Sequence, residues 1–129
     1  MDLNYIMGLQ HIGIPTNDME KSILFYEKIG FEIVFQTIIE NSTIPVSFLK
    51  LQNFMIEVYG NNRAIEKAGA IDHISINVTD IEKVFVQIRL KGLKIINDEI
   101  EFLPFFDKGV KFFMIEGPNA EKIEFNQRL

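Results

Sequence analysis

Two matching stretches decide the fold: Leu9-Gln10-His11-Ile12-Gly13-Ile14 in the first half of the chain, and Ile71-Asp72-His73-Ile74-Ser75-Ile76 in the second. They contain the chain's only two histidines, which occupy the same position of each stretch. The match continues downstream, since Asp18, Glu20, Lys21 and Gly30 recur as Asp80, Glu82, Lys83 and Gly92. The chain is therefore built from an internal repeat.

The composition is that of an ordinary globular protein, and its 129 residues are one domain's worth of chain. A net charge of -5, with Lys and Arg scattered, argues against nucleic acid or an anionic membrane as a partner. The absence of cysteine excludes disulfides and thiolate metal ligands. Because the N-terminal residues do not resemble a signal peptide and no apolar run approaches a membrane span, we expect a cytoplasmic protein.

Each half reads as a strand, a helix and three further strands. The first helix is predicted to start at the N-cap Asn17, with Glu20 as capping-box partner, and to end at Gly30. The second is predicted between the N-cap Thr79 and Gly92. Besides the strand that follows His73, alternating or turn-bounded apolar patterns predict strands over residues 9–16, 32–38, 45–51, 54–59, 94–97, 110–115 and 122–126.

The predicted fold class is α+β. Two tandem βαβββ modules are expected to form a curved, cup-like mixed sheet with the helices on its outside. Module one covers about residues 7–60, a linker covers 61–70 and module two covers about 71–127, all within a single domain over 1–129.

Each half also closes on a strand with one internal glutamate, Glu57 and Glu124. Side chains alternate along a strand, so His11, Glu57, His73 and Glu124 are all predicted on the sheet faces away from the helices. A lone His or Glu is more often a solvated residue than a ligand, but two pairs in register favour a metal site. Two imidazoles and two carboxylates suit one divalent metal per site, with Ni²⁺, Co²⁺ or Zn²⁺ preferred and Fe²⁺ or Mn²⁺ compatible. Such a set leaves a position open for substrate, as catalytic sites do.

These residues resemble the vicinal oxygen chelate superfamily, which contains glyoxalases, bleomycin-resistance proteins and extradiol dioxygenases. The resemblance runs from Leu9 to Asn126 and is carried by His11-Ile12-Gly13-Ile14, Asp18-Met19-Glu20-Lys21-Ser22, Asp72-His73-Ile74-Ser75-Ile76 and Lys122-Ile123-Glu124-Phe125. The ligand set is most similar to that of glyoxalase I (lactoylglutathione lyase). Methylmalonyl-CoA epimerases usually have Gln where Glu57 stands, and extradiol dioxygenases use two His and one Glu.

The chain also departs from the glyoxalase I pattern. Pro15 stands where the bacterial enzymes usually have an Arg that helps to hold glutathione, and Ala120 replaces the usual Gly of the last hairpin turn. Asn61 does match an Asn of those enzymes. The carrier thiol is therefore left open.

The resemblance implies a metal-dependent isomerase or lyase that transfers a proton next to a carbonyl through a metal-bound enediolate. Glu124 would be the general base, and Glu57 would share the proton handling. The expected substrate is a small carbonyl compound or thioester, with Phe105 and Phe106 in a loop over the site and Lys122 nearby to attract an anionic group.

Chains of this superfamily commonly form homodimers, and the sequence leaves open whether one site draws on one chain or two. Three other functions also stay open: a CoA-ester epimerase, an Fe²⁺-dependent dioxygenase, and a non-catalytic protein that binds a drug or metabolite. Iron dependence would mark the dioxygenase, and binding indifferent to chelators would mark the binding protein.

Overall fold

In the computed structural model, which describes residues 3–129, the chain divides into two compact units. The first extends to Ala64 and the second runs from Ile65 to Leu129. Each unit contains one α-helix and one open mixed sheet, so the predicted α+β class is confirmed. Among the described residues, no helix has the length and apolar character needed to cross a membrane.

The first unit is a βαβββ module after a short 3-10 turn. Its elements are β1 (Ile12–Pro15), α1 (Met19–Lys28), β2 (Glu32–Ile38), β3 (Pro45–Leu51) and β4 (Phe54–Tyr59). The sheet order is β1-β4-β3-β2, with β1 parallel to β4 and the other pairs antiparallel. The predicted bounds of β2, β3 and β4 are confirmed. The core of this unit contains Tyr26 of α1 and the sheet residues Leu49, Ile56 and Val58, all fully buried or nearly so.

The second unit repeats this plan with one strand more. Its elements are β5 (Ile74–Asn77), α2 (Ile81–Leu90), β6 (Lys94–Ile95), β7 (Glu101–Leu103), β8 (Val110–Glu116) and β9 (Lys122–Arg128). β5 is parallel to β9, β8 is antiparallel to β9, and both β6 and β7 pair with β8. β7 was not predicted, and β6 is shorter than expected. Phe85 of α2 meets Phe113 of β8 edge-on in the core.

Both helices begin one residue later than predicted. The N-caps are Asp18 and Asp80, whose carboxylates accept hydrogen bonds from the backbone N–H groups of Lys21 and Lys83 at 3.0 and 3.1 Å. In each helix the donor is the residue three positions after the N-cap. Its backbone N–H has no hydrogen-bond partner within the helix, so the carboxylate supplies one. The predicted helix ends are confirmed, because Gly30 and Gly92 follow the helices with φ of 101° and 71°.

The strand predicted over residues 9–16 is shorter in the structure. Pairing of β1 with β4 begins at Ile12, opposite Ile56, so His11 lies immediately before the strand. His73 has the same place before β5. The histidines therefore precede the ladders, whereas the two glutamates lie within them.

Candidate functional site

The first His–Glu pair is formed inside module one. Glu57 is in the register position opposite Gly13, two residues beyond His11, so the imidazole and the carboxylate lie on the same side of the sheet. His11 Nε2 is 3.9 Å from Glu57 Oε1. His11 Nδ1 is 2.8 Å from Gln10 Oε1, and the ring of Phe48 meets the imidazole edge-on at 5.3 Å between centroids.

The second pair repeats this geometry inside module two. Glu124 is opposite Ser75, two residues beyond His73. His73 Nε2 is 4.0 Å from Glu124 Oε2, and His73 Nδ1 is 2.9 Å from Asp72 Oδ2. In both modules, then, Nδ1 is bound to the preceding residue and Nε2 is directed at a carboxylate.

Each His–Glu pair has the chemistry and the spacing to supply two ligands to a divalent metal. Separations of 3.9 and 4.0 Å are too long for a direct hydrogen bond. Metal–nitrogen and metal–oxygen bonds of about 2.0–2.2 Å could span such a gap. A histidine whose Nδ1–H is bound to a side-chain oxygen, leaving Nε2 for the metal, is also the usual arrangement of a metal ligand.

The surroundings of the two carboxylates differ. The Glu124 side chain is only 11% exposed, against 29% for Glu57. The Asn126 side-chain amide donates to Glu124 Oε2 at 3.3 Å. Glu57 lies instead on the same strand face as Tyr59, one of the residues closest to Gly13. Module two therefore holds Glu124 in a more buried position with a hydrogen bond from Asn126. In module one, aromatic rings lie next to the His–Glu pair.

A lysine and an aspartate extend the second pair. Lys122 Nζ donates to Asp72 Oδ1 at 3.2 Å, while the other oxygen of Asp72 faces His73. The hydrogen bond from His73, followed by that from Lys122, holds the pKa of Asp72 below its ordinary value. The expected role of Lys122 in attracting an anionic group is thus modified, because its ammonium group already binds a carboxylate.

Phe105 and Phe106 lie in the connection between β7 and β8. Phe105 and Phe106 are both more than half exposed, and the guanidinium carbon of Arg128 lies 3.8 Å from the centre of the Phe106 ring. Phe106 has a φ of 60°, which is rare for a residue with a bulky side chain. The contact with Arg128 is one interaction that holds the loop in this conformation.

The structure therefore brings together His11 with Glu57 and His73 with Glu124, each within its own module. No group of three or more His, Cys, Asp or Glu side chains that could hold a metal is formed within residues 3–129. Gln10, Asp72 and Asn126 were not selected as site residues from the sequence. The signal for the first two was their place directly before each histidine of the repeat.

Comparison with known proteins identifies the family. A sequence model of the Glyoxalase/Bleomycin resistance protein/Dioxygenase superfamily matches residues 8–125. A Bacillus subtilis (strain 168) protein, YwbC, which is uncharacterised, is 32% identical over 125 residues that cover 93% of this chain and 97% of YwbC. The mitochondrial methylmalonyl-CoA epimerase of Homo sapiens is 26% identical over 103 residues, 72% of this chain and 58% of the epimerase.

Solved structures agree on the fold. A glyoxalase family protein from Enterococcus faecalis matches with a TM-score of 0.78 at 20% identity, covering 95% of this chain and 98% of that one. The fosfomycin resistance protein FosX from Listeria monocytogenes, solved with Mn(II) and sulfate, matches with a TM-score of 0.75 at 14% identity, covering 96% and 94%. With the family match over residues 8–125, these findings show that the chain belongs to the glyoxalase/bleomycin resistance protein/dioxygenase superfamily.

Proposed function

We propose that this chain is a metal-dependent isomerase or lyase that moves a proton next to a carbonyl group. In this proposal His11, Glu57, His73 and Glu124 are the protein ligands of one divalent metal. The observation that carries the proposal is the repeated His–Glu pair, with Nε2–oxygen distances of 3.9 and 4.0 Å and Nδ1 bound to the preceding residue. The Mn(II) bound to FosX supports a divalent metal in this fold.

The bound metal would supply polarisation of the substrate carbonyl, which makes the neighbouring C–H group easier to deprotonate. Glu124 is the proposed general base. Its buried carboxylate, held through one oxygen by Asn126, is fixed in position and shielded from bulk water. A base must lie within hydrogen-bonding reach of the proton it removes, so a fixed carboxylate next to a ligand imidazole suits the role.

Glu57 is proposed to share the proton handling. Its carboxylate is more exposed than that of Glu124 and adjoins Tyr59 and the open position at Gly13. Glu57 therefore has contact with solvent, whereas Glu124 is shielded from it. This division of roles suits an isomerase, in which a proton leaves one carbon and is returned to another.

Two substrate classes follow from specific observations. The ligand set with Glu57 favours the hemithioacetal substrates of a glyoxalase I type enzyme. The similarity to human methylmalonyl-CoA epimerase favours a CoA thioester as the second candidate. Both classes carry an acidic C–H group beside a carbonyl, and they differ in the thiol to which the carbonyl compound is attached.

Metal content of the purified protein tests the proposal. Elemental analysis should give about one divalent metal per chain in the wild type, and the metal should be lost in both His11→Ala and His73→Ala. Glu82→Gln is the matched control, because Glu82 pairs with Lys111 rather than with a histidine. A chain that takes up no metal after reconstitution with Ni²⁺, Co²⁺, Zn²⁺, Fe²⁺ or Mn²⁺ overturns the proposal and favours a non-catalytic binding protein.

Deuterium incorporation tests the chemistry. In D₂O, the metal-loaded protein should place deuterium next to the carbonyl of a 2-oxoaldehyde hemithioacetal or of a 2-methylmalonyl thioester. Isomerisation of the hemithioacetal to a 2-hydroxyacyl thioester supports an enzyme of the glyoxalase I type. Racemisation of the 2-methylmalonyl thioester supports an epimerase. Chelation of the metal should abolish either reaction.

We also propose that the protein is a homodimer. The edge strand β2 is exposed along its whole length and presents Val34, Phe35 and Ile38, each more than half exposed. Exposed apolar edge strands are usually covered by a partner or protected from pairing. Light scattering after size exclusion should give the mass of two chains, and Phe35→Lys should lower that mass toward one chain. A monomeric wild type at micromolar concentration contradicts the proposal.

A further inference from the structure

The residues that hold the two histidines are chemically different. Asp72 binds His73 Nδ1 at 2.9 Å, and Gln10 binds His11 Nδ1 at 2.8 Å. Both residues directly precede their histidine, so the contact is local to each module. A carboxylate carries a charge and only accepts hydrogen bonds, whereas a side-chain amide is neutral and can present either its oxygen or its NH₂ group.

This difference determines how firmly each imidazole is fixed. The Asp72 carboxylate, 2.9 Å from Nδ1, favours the proton on that nitrogen and the lone pair on Nε2. The Glu124 carboxylate, 4.0 Å from Nε2, is too far away for a hydrogen bond that would favour the other tautomer. Lys122 binds the second oxygen of Asp72 at 3.2 Å and so holds the carboxylate in orientation. Gln10 can rotate its amide and accept from or donate to His11 Nδ1, so it imposes no single tautomer.

We infer that Asp72 is a positioning residue: together with Lys122 it fixes His73 with its proton on Nδ1 and its lone pair on Nε2, making His73 the stronger of the two histidine ligands. Gln10 gives His11 the same direction without a charge. The metal-binding part of this inference rests on the proposed function. The tautomer of His73 does not, because it is a property of the metal-free chain.

The tautomer is measured first, in the metal-free protein. Two-dimensional ¹⁵N–¹H NMR of the imidazoles is recorded at alkaline pH, because the two ¹⁵N chemical shifts of each ring show which nitrogen carries the proton. Wild-type His73 should carry its proton on Nδ1. In Asp72→Leu the His73 ring should become a mixture of both tautomers, while the His11 signals stay unchanged. Asp72→Asn, which places an amide like that of Gln10 next to Nδ1, should also give a mixture of tautomers, with more Nδ1–H form than Asp72→Leu but less than wild type.

Glu82→Gln is again the matched control, since it removes an exposed carboxylate that binds a lysine of the same module. It should leave the His73 signals at their wild-type positions. Thermal unfolding recorded for every variant confirms that each is folded under the NMR conditions. A wild-type His73 with its proton on Nε2, or a His73 tautomer that is the same in Asp72→Leu, overturns the inference.

Zn²⁺ affinity, measured by competition with a chromogenic chelator, tests the second part. Loss of a residue that orients a metal-binding histidine typically lowers the metal affinity by about 10–100-fold. Asp72→Leu should show a loss in that range, Gln10→Leu a smaller one, and Asp72→Asn a loss between wild type and Asp72→Leu. If Gln10→Leu and Asp72→Leu lower the Zn²⁺ affinity equally, His73 is not the stronger of the two histidine ligands. If the wild type binds no Zn²⁺, the proposed function fails, while the NMR result still decides whether Asp72 fixes the tautomer.

Discussion

Gly13 lies directly opposite Glu57 in the parallel pairing of β1 with β4, and the carboxylate occupies the space beside the missing side chain. A Cβ atom at Gly13 would lie 3.4 Å from Tyr59 Cε1 and 3.7 Å from Glu57 Oε1. At the matched position of module two, Ser75 lies opposite Glu124. At this position a small side chain is therefore compatible with the adjacent His–Glu pair, whereas a large side chain would contact the glutamate carboxylate.

Gly13→Leu should displace the Glu57 carboxylate and weaken Zn²⁺ binding by at least about tenfold, in line with other changes that disturb the orientation of a ligand. Gly13→Ser introduces the side chain found at position 75 and is the matched control, with affinity close to that of wild type. Competition with a chromogenic chelator measures both variants. Equal affinity in Gly13→Leu and wild type would contradict a role for Glu57 as a ligand.

Glu124→Gln should keep the fold and lose most of the turnover. The amide has nearly the shape of the carboxylate but cannot accept the proton, and a positioned general base contributes about 10²–10⁴-fold to rate. Deuterium incorporation into the substrate carbon measures the proton transfer directly. Glu57→Gln provides the comparison and should reduce the rate less. Full activity in Glu124→Gln would remove this residue from the role of base.

Ala120→Gly should stabilise the protein by about 1 kcal/mol, because a left-handed backbone is unfavourable for alanine but not for glycine. Ala120 has a φ of 62° in the turn between β8 and β9, where its N–H donates to Gly117 O at 3.0 Å. Urea unfolding should show a higher midpoint with an unchanged slope. Ala68→Gly, at a position without positive φ, is the control and should give no increase. A midpoint that is unchanged in Ala120→Gly refutes the prediction.

The ion pair between Glu82 of α2 and Lys111 of β8, 2.8 Å long, should make stability depend on acid pH. The hydrogen bond from Lys111 is the main reason that the pKa of Glu82 lies below its ordinary value of 4.5. Because the folded pKa is the lower one, this contribution is complete above the unfolded pKa and is lost as the pH falls through the folded pKa.

The stability difference between wild type and Glu82→Gln should therefore shrink as the pH falls from 6 to below about 4, the region in which carboxylates titrate. The difference should be small throughout, since both partners are largely exposed. Urea unfolding across this range measures it, with Glu20→Gln at the matched repeat position of α1 as the control for removing a first-turn carboxylate. A difference that grows toward acid pH would reverse the assigned sign.

The parts of the fold that the sequence predicted well are those with long local patterns. The bounds of β2, β3 and β4 follow from apolar runs bounded by turn residues, and Gly30 and Gly92 end the helices as expected. β7 escaped prediction because Glu101–Leu103 is too short to show alternation and is defined by its pairing with β8. The predicted N-caps lie one residue before the observed ones, because Asn17 and Asp18, like Thr79 and Asp80, are adjacent residues that both favour capping.

The site could be predicted only as far as strand alternation reaches. Alternation predicts that His11, Glu57, His73 and Glu124 lie on the sheet faces away from the helices. That His11 lies next to Glu57, and His73 next to Glu124, depends on the parallel pairing of β1 with β4 and of β5 with β9. The contacts of Gln10 and Asp72 with the following imidazoles depend on side-chain rotamers, about which alternation says nothing. The pairing of Lys122 with Asp72, across 50 positions of the sequence, depends on β9 lying beside β5.

The separate construction of the two pairs affects how such a chain can evolve. Each module places its histidine beside its glutamate by its own parallel strand pairing. The local contacts that hold one pair in place are therefore different residues from those that hold the other. A substitution at the residue before one histidine, such as Gln10 or Asp72, can therefore change the contacts of that histidine alone, which is one way in which the two halves of a duplicated sequence can become unequal.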